Sequence, residues 1–191
     1  MSDPCAETEA LLITKAKNGD RNAYGDLVRC HYPFVVDVVY HMCGDAELAQ
    51  DAAQEAFIRA WLRLSTFRPG TSLRNWLYRI ATNAAVDVLR RDFKTSGTDI
   101  ENLAIPDLQA GPEAALLQKE QTLAVQQAIL SLTEAGRDVL VLREYGGLSY
   151  QEISTTLDIP LGTVMSRLNY ARNQLKQLLE SQWIQKEPEN D

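Results

Sequence analysis

The sequence predicts an all-α protein made of two small helical domains joined by a flexible linker, and three observations carry that expectation. Apolar residues recur at the three- and four-residue spacing of one helix face, while no window sustains a two-residue alternation. The 10 glycines and 7 prolines fall mostly between those periodic stretches. Residues 94–111 hold Ser, Thr, Gly, Asp and Pro with no helical stripe, so the chain divides there.

Each helix has its own start and stop signals. The first, residues 7–18, ends at Gly19. Asp20 can cap a second that runs to about Met42 before Gly44, with Pro33 expected to kink it. Asp45 can cap a third reaching about Thr66, and Thr71 or Ser72 opens a fourth to about Asp92. Pro112 stands where the first residue of a new helix belongs, and the second half reads as helices at 113–130, 134–145, 149–157 and 160–180. The expected organisation is therefore a domain over 1–93, a linker over 94–111, a domain over 112–183 and a disordered polar tail over 184–191. A flexible linker of that length spans a root-mean-square distance of about 23 Å, enough for the halves to address separate sites.

Composition excludes several classes. The longest apolar run, 34–40, is broken by Asp37 and is far too short to span a bilayer, and the first residues lack the basic-then-apolar pattern of a signal peptide, so a cytoplasmic protein without direct membrane insertion is expected. Cys5, Cys30 and Cys43 form no CxxC pair and read as free thiols. A zinc site from Cys30, His31, His41 and Cys43 fails on a helix, where eleven residues separate the pairs by about 16 Å. No metal and no cofactor is expected. Charge is uneven: residues 59–94 hold eight Lys/Arg against two acids, net +6, inside a chain of net −7. A basic stretch in an acidic protein suits phosphate contact that needs a further partner, or simply a solvated helix face.

The last three helices have the form of a helix-turn-helix, with Ser149 as cap, a tight turn at Asp158, Ile159 and Pro160, and a longer amphipathic helix. Val164, Leu168, Ala171, Leu175 and Leu178 make its apolar stripe, leaving Met165, Ser166, Asn169, Arg172, Asn173 and Lys176 outward. Ser and Asn can bond base edges while Arg172 and Lys176 meet phosphates. On the third helix, Leu48, Ala52, Ala56, Phe57, Ala60, Trp61 and Leu64 point inward, and Asp51, Gln54 and Glu55 share an exposed face. With no ExxH pair and no histidine nearby, that acidic patch suits a protein docking site or a solvated face rather than a catalytic pair, so no enzyme is expected. The fourth helix sets Arg79, Asn83, Asp87 and Arg90 or Arg91 along one face, after a loop of Phe67, Arg68, Pro69, Gly70, Thr71 and Ser72 whose chemistry could hold an unstacked base.

Residues 45–61, DAELAQDAAQEAFIRAW, and 76–91, WLYRIATNAAVDVLRR, resemble region 2 of the extracytoplasmic function (ECF, group 4) sigma factors of RNA polymerase. RDVLVL at 137–142, LSYQEI at 148–153 and GTVMSRL at 162–168 resemble their region 4, and the likeness runs in order from about Glu9 to Leu179. The resemblance implies an alternative sigma factor that carries core polymerase to promoters and assists DNA opening. It implies docking of Asp51, Gln54 and Glu55 on the clamp helices of the beta-prime subunit, with region 4 on the beta flap. The Phe67–Ser72 loop, with Arg68 among its contacts, would capture an unpaired base of the −10 element, flanked by Arg79, Asn83, Arg90 and Arg91. Tyr150, Gln151, Ser166 and Asn169 would meet the −35 element, with Thr163, Met165 and Arg172 on the same surface, while Glu152 and Arg167 would pair to brace the motif. Met165 departs from the family pattern, which is usually basic there. The family also implies an anti-sigma partner.

Two other readings of the residues stay open at this point. A free-standing helix-turn-helix regulator would bind DNA without polymerase, using the N-terminal half to dimerise or sense. An adaptor that occupies polymerase without reading DNA would keep the acidic patch and tolerate loss of Ser166 and Asn169.

Overall fold

A computed structural model of the chain describes residues 4–68, 70–96 and 112–184, with side chains over 8–68, 70–92 and 121–180. The described residues are all helix and turn: α1 (Pro4–Lys17), α2 (Arg21–Cys43), α3 (Ala46–Arg63) and α4 (Leu73–Ser96), then α5 (Pro112–Leu130), α6 (Glu134–Glu144), α7 (Tyr150–Leu157) and α8 (Leu161–Ile184). The expected linker and tail lie, apart from residues 94–96 and 184, outside the described residues.

Caps explain most boundaries. Asp20 accepts from the backbone N–H of Asn22 and Ala23 to start α2, and Gly44 ends it with φ 75°, a left-handed conformation that a Cβ would disfavour. Asp45 then accepts from Glu47 and Leu48 to start α3. Pro33 does not interrupt α2, which continues from Arg21 to Cys43; Pro33 and Arg29 are both exposed, so the carbonyl deprived of its partner can face water. The third helix ends as a 3-10 turn, Leu64–Thr66, rather than as α-helix.

The N-terminal half is a four-helix assembly in which α3 lies between α2 and α4. Its centre is built from small residues: Ala49, Ala52, Ala53, Ala56 and Ala60 on α3 and Ala81, Ala84 and Ala85 on α4 are 0–1% exposed. With no bulk beyond Cβ, the two helices approach closely. Tyr78, fully buried on α4, has its hydroxyl accepting from Arg74 Nε at 2.8 Å. In the C-terminal half α6 and α7 pack on α8. Gly136 permits this: a Cβ there would stand 3.1 Å from Thr133 Oγ1 and 3.4 Å from the Ala171 Cβ.

The halves meet at the C-terminal end of α2. His41 stacks on Tyr145 with centroids 3.4 Å apart, its Nδ1 lies 3.1 Å from Gln126 Oε1, and Gln126 Nε2 donates to the His41 carbonyl at 3.2 Å. Arg137 Nη1 donates to the Met42 carbonyl at 3.1 Å. Burial holds the His41 imidazole below its usual pKa, against the opposing pull of Gln126 and Asp37, so at neutral pH it joins the contact uncharged.

Candidate nucleic-acid interface

The loop ahead of α4 is anchored from inside. Phe67 is 4% exposed, its ring edge-on to Trp76 at 5.4 Å, and Lys17 Nζ donates to its carbonyl. Its aromatic face is therefore committed to the core and not free to stack on an unpaired base, because α1 and the start of α4 close over it. What the loop presents to solvent is Arg68, Gly70, Thr71 and Ser72. Thr71 Oγ1 donates to the Arg68 carbonyl at 2.7 Å, and Ser72 Oγ accepts from the Asn75 N–H at 3.3 Å to cap α4.

Along α4 the expected basic face exists, but its cations are already engaged. Arg79 faces Asp158 at 3.6 Å, Asn83 Nδ2 donates to the Arg79 carbonyl at 2.8 Å, and Arg90 Nη2 donates to both oxygens of Glu134 at 3.1 and 3.3 Å. Arg91 pairs with Glu55, whose other oxygen takes Arg59 at 2.5 Å, and Arg59 also holds Asp87 at 2.8 Å. Burial alone would raise the Glu55 carboxyl, but hydrogen bonds from Arg91 and Arg59 outweigh it and hold the group below the ordinary carboxylate range. Two of these acids, Glu134 and Asp158, come from the C-terminal half, as does Glu152, which accepts from Asn75 Nδ2 at 3.1 Å.

On α3, Asp51 and Gln54 are exposed, whereas Glu55 is half-buried in its arginine network. The same helix face carries Ile58, 62% exposed, and Leu62, 74% exposed. With Arg21, Tyr24, Phe57 and Trp61 they line an open groove of about 400 Å³ between α2 and α3. Sequence reasoning did not single out Ile58 and Leu62, although their spacing of seven and eleven residues from Asp51 puts them on its stripe and off the buried alanine stripe.

The helix-turn-helix is built by local chemistry. Ser149 and Glu152 form a capping box, in which Glu152 accepts from the Ser149 N–H at 2.8 Å while Ser149 Oγ accepts from the Glu152 N–H at 3.2 Å. Asp158, at φ 57°, is the non-glycine residue with positive φ among the described residues, and it turns the chain between α7 and α8. Ser154 Oγ donates to the Ile159 carbonyl at 2.6 Å to fix that turn, and Ile153, Val164, Leu168 and Ala171 are buried beneath it.

Gln151, Met165, Ser166, Asn169 and Arg172 are exposed on the outer side of this motif, Thr163 and Tyr150 half-buried. Arg143 sits over the Tyr150 ring at 5.2 Å, and Arg172 Nη2 reaches Glu144 at 2.7 Å. The expected Glu152–Arg167 brace is replaced. The Glu152 carboxylate is spent on Ser149 and Asn75, bonds that hold it below the usual carboxylate range, and Arg167 instead lends its charge to Asp138. The cysteines and histidines of α2 also go separate ways: His31 Nε2 contacts Glu9 at 2.8 Å, Cys43 is buried and Cys30 is exposed. Among the described residues no helix is long and apolar enough to cross a membrane, and no cluster of His, Cys, Asp and Glu is placed to hold a metal ion.

Comparison with known proteins finds both halves in the same order. Sigma-70 region 2 matches residues 27–94 and Sigma-70, region 4 matches residues 122–175. The chain is 37% identical to the RNA polymerase sigma-H factor of Pseudomonas aeruginosa over 184 residues, covering 91% of this chain and 95% of that one. It is 35% identical to the ECF RNA polymerase sigma factor SigW of Bacillus subtilis over 176 residues, covering 87% and 94% respectively. Among solved structures, CnrH in complex with the cytosolic domain of CnrY superposes with TM-score 0.68 at 25% identity, over 91% of this chain and 98% of that one. The sigma factor RpoE of Bartonella quintana, in complex with the anti-sigma factor NepR, shares the fold at TM-score 0.67 and 24% identity, over 82% and 96%.

Proposed function

The chain belongs to the ECF sigma factors of RNA polymerase, and from that premise we propose how its residues divide the work of promoter selection. It is a specificity subunit: core polymerase catalyses, and this chain chooses and opens the site without a reaction of its own, in the cytoplasm where transcription takes place. The N-terminal half, 1–93, docks on the beta-prime clamp helices through Asp51, Gln54 and Glu55. It meets the −10 element through Arg68, Ser72, Arg79, Asn83, Arg90 and Arg91, with Phe67 as the buried anchor of the capture loop. The C-terminal half, 112–183, meets the −35 element through Tyr150, Gln151, Thr163, Met165, Ser166, Asn169 and Arg172, and rests on the beta flap. An anti-sigma protein is a further partner, by analogy with the sigma factor RpoE of Bartonella quintana, whose solved complex holds the anti-sigma factor NepR.

The observation that carries this reading is the ordered match of both regions on one chain, at 37% identity over 95% of a sigma factor's length. A free-standing regulator has no use for the first of those regions. The test is co-elution with sigma-free core polymerase. Because Glu55 also holds Arg59 and Arg91, substituting it would disturb the fold's own ion pairs; Asp51→Arg with Gln54→Arg changes only exposed side chains. Wild type is expected to co-elute and the double variant to lose co-elution by at least tenfold while keeping its helicity. Failure of the folded wild type to bind core polymerase would overturn the proposal.

A further inference from the structure

The first two turns of α8 present an apolar pair to solvent where a helix-turn-helix meets base edges. Leu161 is 41% exposed and Met165 is 53% exposed. One turn apart, they form a stripe that continues to the exposed Asn169, with exposed Ser166 beside it. The residues that build the hairpin, Val164, Leu168 and Ala171, point the other way and are 0–1% exposed, so Leu161 and Met165 lie outside its core. The exposed cations of this face, Arg172 and Lys176, come two and three turns later and face Glu144 and Glu180.

The chemistry of the major groove narrows what such a pair can read. A guanidinium at this place would select guanine through N7 and O6. A thioether makes no such bidentate bond, and the apolar feature of the groove is the 5-methyl of thymine. The unbranched, polarizable Met side chain adapts to that small surface, and the Leu161 side chain can shield it from water.

Resting on the assignment of region 4 to the −35 element, we infer that Met165, supported by Leu161, is a specificity-determining residue that reads thymine methyl groups. This chain then selects a T·A pair by apolar contact at a step where an arginine would select G·C. Ser166 and Asn169 supply the hydrogen-bond readout next to it.

The test uses holoenzyme reconstituted from core polymerase and the full chain. Duplexes selected from a pool randomised upstream of the start site give the preferred −35 sequence, and each thymine in it is then replaced singly by deoxyuridine, which removes the methyl and leaves every hydrogen-bonding edge intact. Wild-type holoenzyme is expected to lose about fourfold in affinity at one position, the ratio for one buried methyl-sized group. Met165→Ala should erase the difference between thymine and deoxyuridine there, and Met165→Arg should shift selection at that position towards guanine. Insensitivity of the wild type to every replacement, or an undiminished fourfold effect in Met165→Ala, would overturn the inference. Ser166→Ala with Asn169→Ala separates it from the assignment beneath it. If that variant selects the same upstream sequence as the wild type, the assignment of region 4 fails too; if it loses the upstream preference while Met165→Ala does not change it, the methyl readout alone is wrong.

Discussion

Asp138 on α6 carries a carboxyl whose Oδ1 is buried without a hydrogen-bond partner. Burial, reinforced by the nearby Glu134 charge, pushes its pKa up to about 7 against the opposing charges of Arg137 and Arg167. Since the folded value lies above the unfolded one, the protonated form is the stabilised one. Its contribution is complete below about pH 4 and is lost as pH rises through about 7. Asp138→Asn keeps the shape and cannot ionise. In urea unfolding it is expected to exceed the wild type by about 1–2 kcal/mol near pH 8 and to converge with it near pH 4. A variant less stable than wild type at the higher pH would show that attraction to Arg137 and Arg167 outweighs burial. None of this was legible in the sequence, where Asp138 is one acid in RDVLVL with nothing to mark it as buried.

At the scale of elements, local chemistry made most of the fold legible. Asp20, Asp45, Ser149 and Gly44 are caps whose hydrogen bonds depend on near neighbours, and so the starts of α2, α3 and α7 could be read from short spacings. The misjudged details depend on residues far apart in sequence. Loop composition around Phe67 suits a residue free to hold an unstacked base, yet α1 and Trp76 enclose its ring. Glu152 found Asn75, seventy-seven residues away, in place of Arg167. On α3 periodicity points Ala52, Ala56 and Ala60 inward, but the reason for small residues there, close approach to α4, needs both helices in view. That reason has a consequence. Ala56→Leu forces bulk into a site only 1% exposed and is expected to cost about 1–3 kcal/mol by thermal or urea unfolding. Ile58→Ala on the same helix, at a site 62% exposed, should stay within about 0.5 kcal/mol. Equal costs at the two positions would contradict the close-packed interface.

At the scale of the whole molecule, the two halves are held too close together to reach at once the two promoter elements proposed for them. The −10 and −35 elements lie on the order of 20 base pairs apart, which at about 3.4 Å per pair is about 70 Å of duplex. In the free chain α7 packs on α4, and carboxylates of the C-terminal half occupy the arginines assigned to the −10 element, Glu134 on Arg90 and Asp158 on Arg79. Those exposed pairs are worth at most about 1 kcal/mol each and set what is covered rather than how firmly. The firmness comes from the buried contact at the end of α2, where Gln126 is 3% exposed and bonds both the His41 ring and its carbonyl. Removing it strands buried polar groups at about 1–3 kcal/mol, enough to shift the balance towards separated halves. The double variant His41→Ala, Gln126→Ala is therefore expected to expand in solution scattering, from a radius of gyration near the roughly 16 Å of a compact chain of this length, while its helicity is unchanged. It should also bind a duplex with an unpaired −10 strand more tightly than the free wild type, because Arg79 and Arg90 are released to phosphate. A double variant that stays compact and gains no DNA affinity would mean that other contacts, Arg137 on the Met42 carbonyl and Arg74 on the Gly146 carbonyl, hold the halves closed.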